Sequence, residues 1–122
     1  MAMPSQAPGE DDAAAFYEQR RTELLGDELV TEKRMFGTTA LCAQGKVFMF
    51  PWRQNMVFKL PADRVAELIA ANSGELFDPG HGRTSPTWVA VYPSAHEAWP
   101  ALADAAHDFV QGRRPGDQPR TA

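Results

Sequence analysis

The stretch from Lys33 to Leu60 constrains the fold of this chain most, because short apolar runs alternate there with turn signals. Gln44-Gly45 is typical of a two-residue hairpin turn in which glycine supplies a positive φ. Arg53-Gln54-Asn55 indicates a second reversal of the chain. Strands are therefore expected over 31–36, 39–43, 46–51 and 56–60. Four of the seven Phe residues lie in this stretch, so it should hold much of the core.

Helical patterns flank these strands. Residues 12–25 carry Phe16, Tyr17 and Leu24 at helical spacing, with Arg20 expected at the edge of the apolar stripe. A second helix is predicted from Pro61 to about residue 72. The connection that follows is expected to be irregular.

The C-terminal third predicts one more strand and one more helix. The strand is expected over 87–92, followed by a short turn over 94–98 and a helix that opens at Pro100. The element order is then α-β-β-β-β-α-β-α. This order favours an α+β two-layer sandwich, with an antiparallel sheet of four to five strands and helices mainly on one face. Six side chains are predicted to be largely buried: Phe36, Phe48, Phe58, Leu68, Trp88 and Phe109.

The domain is expected to span 12–112, between a flexible leader over 1–11 and a disordered tail over 113–122. No apolar run approaches the roughly 20 residues that a membrane span needs, which argues against a membrane partner. The N-terminus lacks the basic and apolar segments of a signal peptide, so a cytoplasmic location is expected.

Metal and catalytic patterns are absent from the sequence. Cys42 is the one cysteine, which excludes an internal disulfide and a cysteine-built zinc site, and its apolar neighbours favour a buried thiol. The three His residues have no ligand spacing. We therefore predict no catalytic residue, no cofactor and no metal, and a protein that is not an enzyme.

Charge is unevenly distributed along the chain. The formal net charge is −4, which argues against strong nucleic-acid binding. Residues 31–60 nevertheless carry five basic side chains against Glu32 alone. A locally basic sheet could meet an anion or an acidic partner, although basic side chains also occupy the wet positions of ordinary sheets.

The third predicted strand is apolar on both sides. Simple alternation puts Val47 and Met49 on one face and Phe48 and Phe50 on the other. Three helices of modest apolar width should not cover both faces, so one face is expected to meet an unknown protein partner. A homodimer, with Met49 and Trp52 near the contact, is one solution. The alternative is that the first helix shields this face and the molecule stays monomeric.

Two sets of residues are candidate contact sites. Trp52 is followed by Arg53, and such a pair can bind a partner or a nucleic-acid base. The loop DPGHGR, residues 78–83, could cradle a small anion with its backbone N–H groups. In that loop Arg83 would supply the charge contact, beside Asp78 and His81. A plain connection between two strands explains the same loop residues.

Several motifs together resemble the N-terminal domains of the TfoX/Sxy family. Residues 32–37, EKRMFG, are similar to the family's E-K-x-M-F-G opening, and QGKVF at 44–48 is similar to its D-G-K-x-F turn. The series continues with FDP at 77–79, GR at 82–83 and WVAV at 88–91. Thr38 and Thr84-Ser85 depart from the family pattern. The resemblance implies a module that acts in bacterial transcriptional regulation through protein contacts, and it implies no enzyme activity.

The segment from Met56 to Val91 also resembles the MmcQ/YjbR group. The Lys-Leu-Pro start of the second helix and the Trp-Val strand carry it. That group is labelled DNA-binding. It therefore supplies an alternative function, a weak DNA-binding protein, while the 78–83 loop supplies the other alternative, a small-anion-binding domain. The competence regulators of the TfoX/Sxy family carry a further C-terminal domain, and an isolated module need not regulate competence.

Overall fold

The computed structural model describes residues 10–26, 30–35, 37–78, 82 and 84–112. Three α-helices, six strands and a 3-10 helix are found in these ranges. In chain order they are α1 (Glu10–Leu24), β1 (Val30–Met35), β2 (Thr38–Ala43), β3 (Lys46–Trp52), β4 (Asn55–Lys59), α2 (Ala62–Ala70), β5 (Gly74–Leu76), β6 (Trp88–Val91), the 3-10 helix (Pro93–Ala98) and α3 (Trp99–Val110). The predicted leader and tail lie largely or wholly outside the described residues.

The strands form one antiparallel sheet in the order β1-β2-β3-β4-β6-β5. The α+β class and the antiparallel sheet are thus confirmed, but the sheet has six strands rather than four or five. The additional strand, β5, has only three residues and opens on Gly74. A Cβ at Gly74 would lie 2.6 Å from the Ala90 carbonyl oxygen, so glycine permits this close pairing. Three residues are too few to show an alternating pattern in sequence.

Both predicted hairpin turns are present. Gln44 and Gly45 have φ values of 54° and 82°, the conformation that a two-residue hairpin turn requires. Arg53 also has a positive φ, 58°, and Trp52 pairs with Asn55. The second turn is therefore made by Arg53 and Gln54, and Asn55 already belongs to β4.

A β-bulge in β3 makes the predicted alternation of that strand wrong. Leu41 pairs with Met49 while the next residue, Cys42, pairs with Val47, so Phe48 is an extra residue without a partner on β2. A bulge puts two successive side chains on the same face of a sheet. Phe48 and Met49 therefore both pack on the helices, whereas Val47 lies on the opposite face with Phe50.

All three helices contribute to the larger of two buried clusters. α1 and α3 contact β3 and β4, and α2 contacts β5 and β6. This cluster includes most of the fully buried side chains of the central strands: Leu41, Phe48, Met49, Met56 and Phe58. We call the side of the sheet that these residues occupy the helix face.

The predicted core is confirmed in part. Phe48 and Phe58 are fully buried and Leu68 is 5% exposed. Trp88 and Phe109 are only half-buried. Trp88 lies on the face of the sheet opposite the helix face, and Phe109 borders a cleft at the end of the sheet. Phe36 lies outside the described residues.

Helix α1 is held to the sheet by polar contacts around Glu32. The Tyr17 hydroxyl donates to Glu32 Oε2 at 2.9 Å, and Arg21 Nε donates to the same oxygen at 2.8 Å. Arg20 lies at the edge of the helix as expected, where its guanidinium donates to the Pro100 carbonyl oxygen at 3.2 Å. In the described part of the chain no helix has the length and apolar content needed to cross a membrane.

Candidate functional site

The second buried cluster lies on the side of the sheet opposite the helix face. Its buried members are Ala40, Phe50, Val57, Phe77 and Ala90, and partly buried Met35, Val47, Trp52 and Trp88 pack around them. Among the described residues no helix contributes to this cluster. We call this side of β1, β2, β3, β4 and β6, together with Phe77, the outer face.

Aromatic rings dominate the outer face. Phe77 meets Phe50 edge to face at 5.2 Å between ring centroids, and it meets Trp52 in the same way at 5.2 Å. Trp88 packs on Phe50 from another side at 5.7 Å. These distances lie in the favourable range for tilted and edge-to-face pairs. The contacts fix Trp52 and Trp88 in place while both remain partly exposed.

Two cations border the exposed rings. Arg53 Cζ lies 5.3 Å from the Trp52 ring centroid, and Lys59 Nζ lies 5.1 Å from that of Trp88. Both distances are within the range of a cation–π contact. The two tryptophan rings therefore keep the charged groups of Arg53 and Lys59 at the surface of the outer face.

The basic side chains of residues 31–60 are not neutralised within the described part of the chain. Glu32, the one acidic residue of this stretch, is bound by Arg21 and Tyr17 of α1 on the helix face. No carboxylate among the described residues lies within 4 Å of the five cations: Lys33, Arg34, Lys46, Arg53 and Lys59. Three of these cations, Lys33, Arg53 and Lys59, lie on or beside the outer face, although the whole chain has a net charge of −4.

The register of β1 places Lys33 on the outer face. Lys33 pairs with Ala40 of the outer cluster, while its neighbour Glu32 contacts the helices. Side chains alternate between the faces of a strand, so Arg34 lies on the helix side and Lys33 on the outer side. Both are exposed. The side chains of these two adjacent cations thus lie on opposite faces of the sheet.

Cys42 lies on the outer face but offers no reactive thiolate. It is 2% exposed and pairs with Thr31 and Val47. Burial raises the pKa of its thiol, an effect that exceeds the opposing influence of Lys33. The thiol therefore stays protonated at neutral pH and acts as a small packing group.

The predicted loop 78–83 begins beside the outer face. Asp78 follows Phe77 directly, and its Oδ1 accepts a hydrogen bond from the Gly82 N–H at 3.2 Å. That N–H is one of the donors an anion would need, and a carboxylate beside it repels an anion. His81 and Arg83 lie outside the described residues. No cluster of three His, Cys, Asp or Glu suited to a metal is found in the ranges described.

Two of the residues predicted as contact sites lie at the outer face. Trp52 and Arg53 were identified from their adjacency, and the structure places both on or beside the outer face. Phe77, Lys59 and Trp88 were missed as site residues, because they meet only through the pairing of β4, β5 and β6. The pairing of Lys59 with Trp88 is a matter of register that residue spacing does not reveal.

A comparison of the chain with protein-family models, curated proteins and solved structures finds no match. The resemblances to the TfoX/Sxy and MmcQ/YjbR groups therefore stay hypotheses, supported by the motifs quoted above. The function must be inferred from the chemistry of the outer face.

Proposed function

We propose that the protein is a non-enzymatic regulatory module that binds an acidic, aromatic-containing segment of another protein on its outer face. The observation that carries this proposal is the combination of partly exposed tryptophans with cations that have no carboxylate partner in the described residues. Interfaces are enriched in Trp, Tyr and Arg, and complementary charge selects the partner.

The tryptophans supply the apolar part of such an interface. Trp52 and Trp88 are already held by Phe77 and Phe50, so little side-chain entropy is lost when a partner covers them. Carboxylates of the partner would pair with Lys33, Arg53 and Lys59 around these rings. Apolar contact would supply affinity, while the charges would fix orientation.

A second copy of the chain is a poorer occupant of this face. A two-fold axis through the outer face would place Lys33, Arg53 and Lys59 of both copies in one interface, and like charges gathered there are costly. Met49, which was expected near a dimer contact, is fully buried on the helix face.

The proposal agrees with the TfoX/Sxy resemblance, which implies transcriptional regulation through protein contacts. In this proposal the domain is a two-layer sandwich that works in the cytoplasm, with its helices on one layer and the partner on the exposed side of the other.

A binding titration with a defined acidic polymer tests the proposal. Fluorescent copolymers of glutamate and tyrosine should bind the protein more tightly than polyglutamate, measured by anisotropy at physiological salt. Lys33→Glu should weaken this binding on the order of tenfold, because it replaces attraction by repulsion. Arg34→Glu makes the same charge change on the other side of β1 and should alter binding by less than about twofold. Equal losses in the two variants, or no preference for the tyrosine copolymer, would overturn the proposal.

Binding of single-stranded nucleic acid is the second candidate function. Partly exposed tryptophans beside cations are also the features on which unpaired bases stack. With a net charge of −4, weak binding without sequence preference is expected. Titration with oligothymidylate separates the two candidates, since a sub-micromolar complex at physiological salt would favour nucleic acid over an acidic protein.

A further inference from the structure

A cleft of about 470 Å³ lies at the end of the sheet where β3 begins, β4 ends and β6 begins. The end of α3 forms one wall, through Phe109 and Val110. The opposite walls are made by Val47 and Trp88, with Lys46 and Lys59 beside them. Its volume lies within the range of small-molecule sites, roughly 300–1,000 Å³. The cleft adjoins the outer face at Trp88 and Lys59 but is distinct in depending on α3 and Lys46.

The walls of the cleft are apolar, and basic side chains lie beside them. Val47, Trp88, Phe109 and Val110 provide apolar contact, and two of these side chains are aromatic. Among the described residues, both titratable side chains that line the cleft are lysines, and none is a carboxylate. Neither ammonium has a carboxylate within 4 Å among the described residues. Ligands with an apolar body and a negative charge match this lining.

The end of α3 lowers the positive potential of the cleft without cancelling it. A helix C-terminus carries roughly half a negative charge, from carbonyl groups that have no intrahelical partner. Two ammonium groups outweigh this half charge. The arrangement therefore favours an anion over a neutral molecule.

We propose that this cleft binds a small organic anion with an apolar body, whose acidic group pairs with Lys46 and Lys59 while its body packs between Trp88 and Phe109. This proposal does not depend on a protein partner at the outer face. Lys46 and Phe109 belong to the cleft alone, whereas Lys33, Trp52 and Arg53 belong to or border the outer face alone.

A titration with 2-naphthoate, followed by amide signals in NMR spectra of the full chain, tests this inference. The shifts should concentrate at Lys46, Val47 and Gly112, and the neutral analogue 2-naphthylmethanol should bind on the order of tenfold more weakly. Lys46→Glu should weaken naphthoate binding to a similar extent, because Lys46 is exposed and its replacement leaves the fold intact. Lys33→Glu is the matched control and should leave naphthoate affinity unchanged.

Four results would overturn the proposal. The first is an absence of shifts at millimolar naphthoate. The second is a set of shifts centred on Trp52, or on the groove between α1 and the 3-10 helix that Phe16 and His96 line. The third is equal affinity for naphthoate in the parent protein and in Lys46→Glu, or equal affinity for the neutral analogue. A loss in Lys33→Glu equal to that in Lys46→Glu would attribute binding to overall charge and would also contradict it.

Discussion

At the scale of single residues, Glu32 is important for the distribution of charge over the two faces of the sheet. Its carboxylate is occupied by Tyr17 and Arg21 of α1, and Arg21 Nε lies 2.8 Å from it. Burial and the neighbouring Glu32 both raise the pKa of Tyr17 above its ordinary value, burial being the larger cause. The one acidic residue among the first four strands thus fastens a helix, and the cations nearby are left for other partners.

Tyr17 should make the protein less stable in alkali. Its pKa is higher in the folded than in the unfolded chain, so the stabilisation is complete below about pH 10 and is lost as the pH rises further. The free energy of unfolding should fall by up to about 1.4 kcal/mol per pH unit above pH 10 from this group. Tyr17→Phe should flatten that fall, measured by urea unfolding at successive pH values.

The control for this prediction is Tyr92→Phe. Tyr92 is less buried than Tyr17, and burial followed by Glu75 raises its pKa. The variant should therefore keep most of the alkaline dependence. An unchanged slope in Tyr17→Phe would show that Tyr17 titrates at the same pH in both states.

At the scale of secondary-structure elements, a feature could be predicted from the sequence when it depends on residues that are close together in the chain. The turn at Gln44-Gly45 and the short turn before α3 were predictable, because glycine conformation and proline position act within a few residues. The bulge at Phe48 was not, since it depends on how β2 and β3 align. Strand β5 was missed because its pairing with β6 is a tertiary effect on a three-residue segment.

The bulge predicts that substitution by Lys has different effects on stability at Val47 and at Met49. Plain alternation puts the two side chains on one face, so Lys at either position should have the same effect. In the bulged strand Met49 is fully buried on the helix face, while Val47 is half-buried on the outer face. Met49→Lys should therefore cost more than about 4 kcal/mol, because it buries an unpaired charge. Val47→Lys should cost less than about 1.5 kcal/mol, because its ammonium can reach solvent. Similar losses in thermal or urea unfolding would contradict the bulge.

At the scale of the whole molecule, the two faces of the sheet differ in kind. The helix face is filled by apolar side chains from all three helices, while the outer face carries rings bordered by cations. Sequence alone indicated that the second face of the sheet is apolar and that the strand region is locally basic. It did not indicate that basic side chains lie on that face, because this follows from the register that sets Lys33 opposite Ala40 and Lys59 opposite Trp88.

The charge of the outer face predicts the state of association. Because a symmetric pairing of this face would oppose like charges, the protein should be a monomer at micromolar concentration and physiological salt. Light scattering should return the mass of one chain. A mass of two chains that falls when Trp52 is replaced by Ala would instead identify a second copy as the occupant of the outer face.

The three tryptophans provide the most direct test of the partner-binding account. Trp52 and Trp88 lie on the outer face, whereas Trp99 is 2% exposed among the helices and serves as an internal control. In NMR spectra recorded during titration with the glutamate–tyrosine copolymer, the indole N–H signals of Trp52 and Trp88 should move or broaden together. The Trp99 signal should stay fixed. A titration that moves the Trp99 signal alone, or all three signals alike, would contradict binding at the outer face.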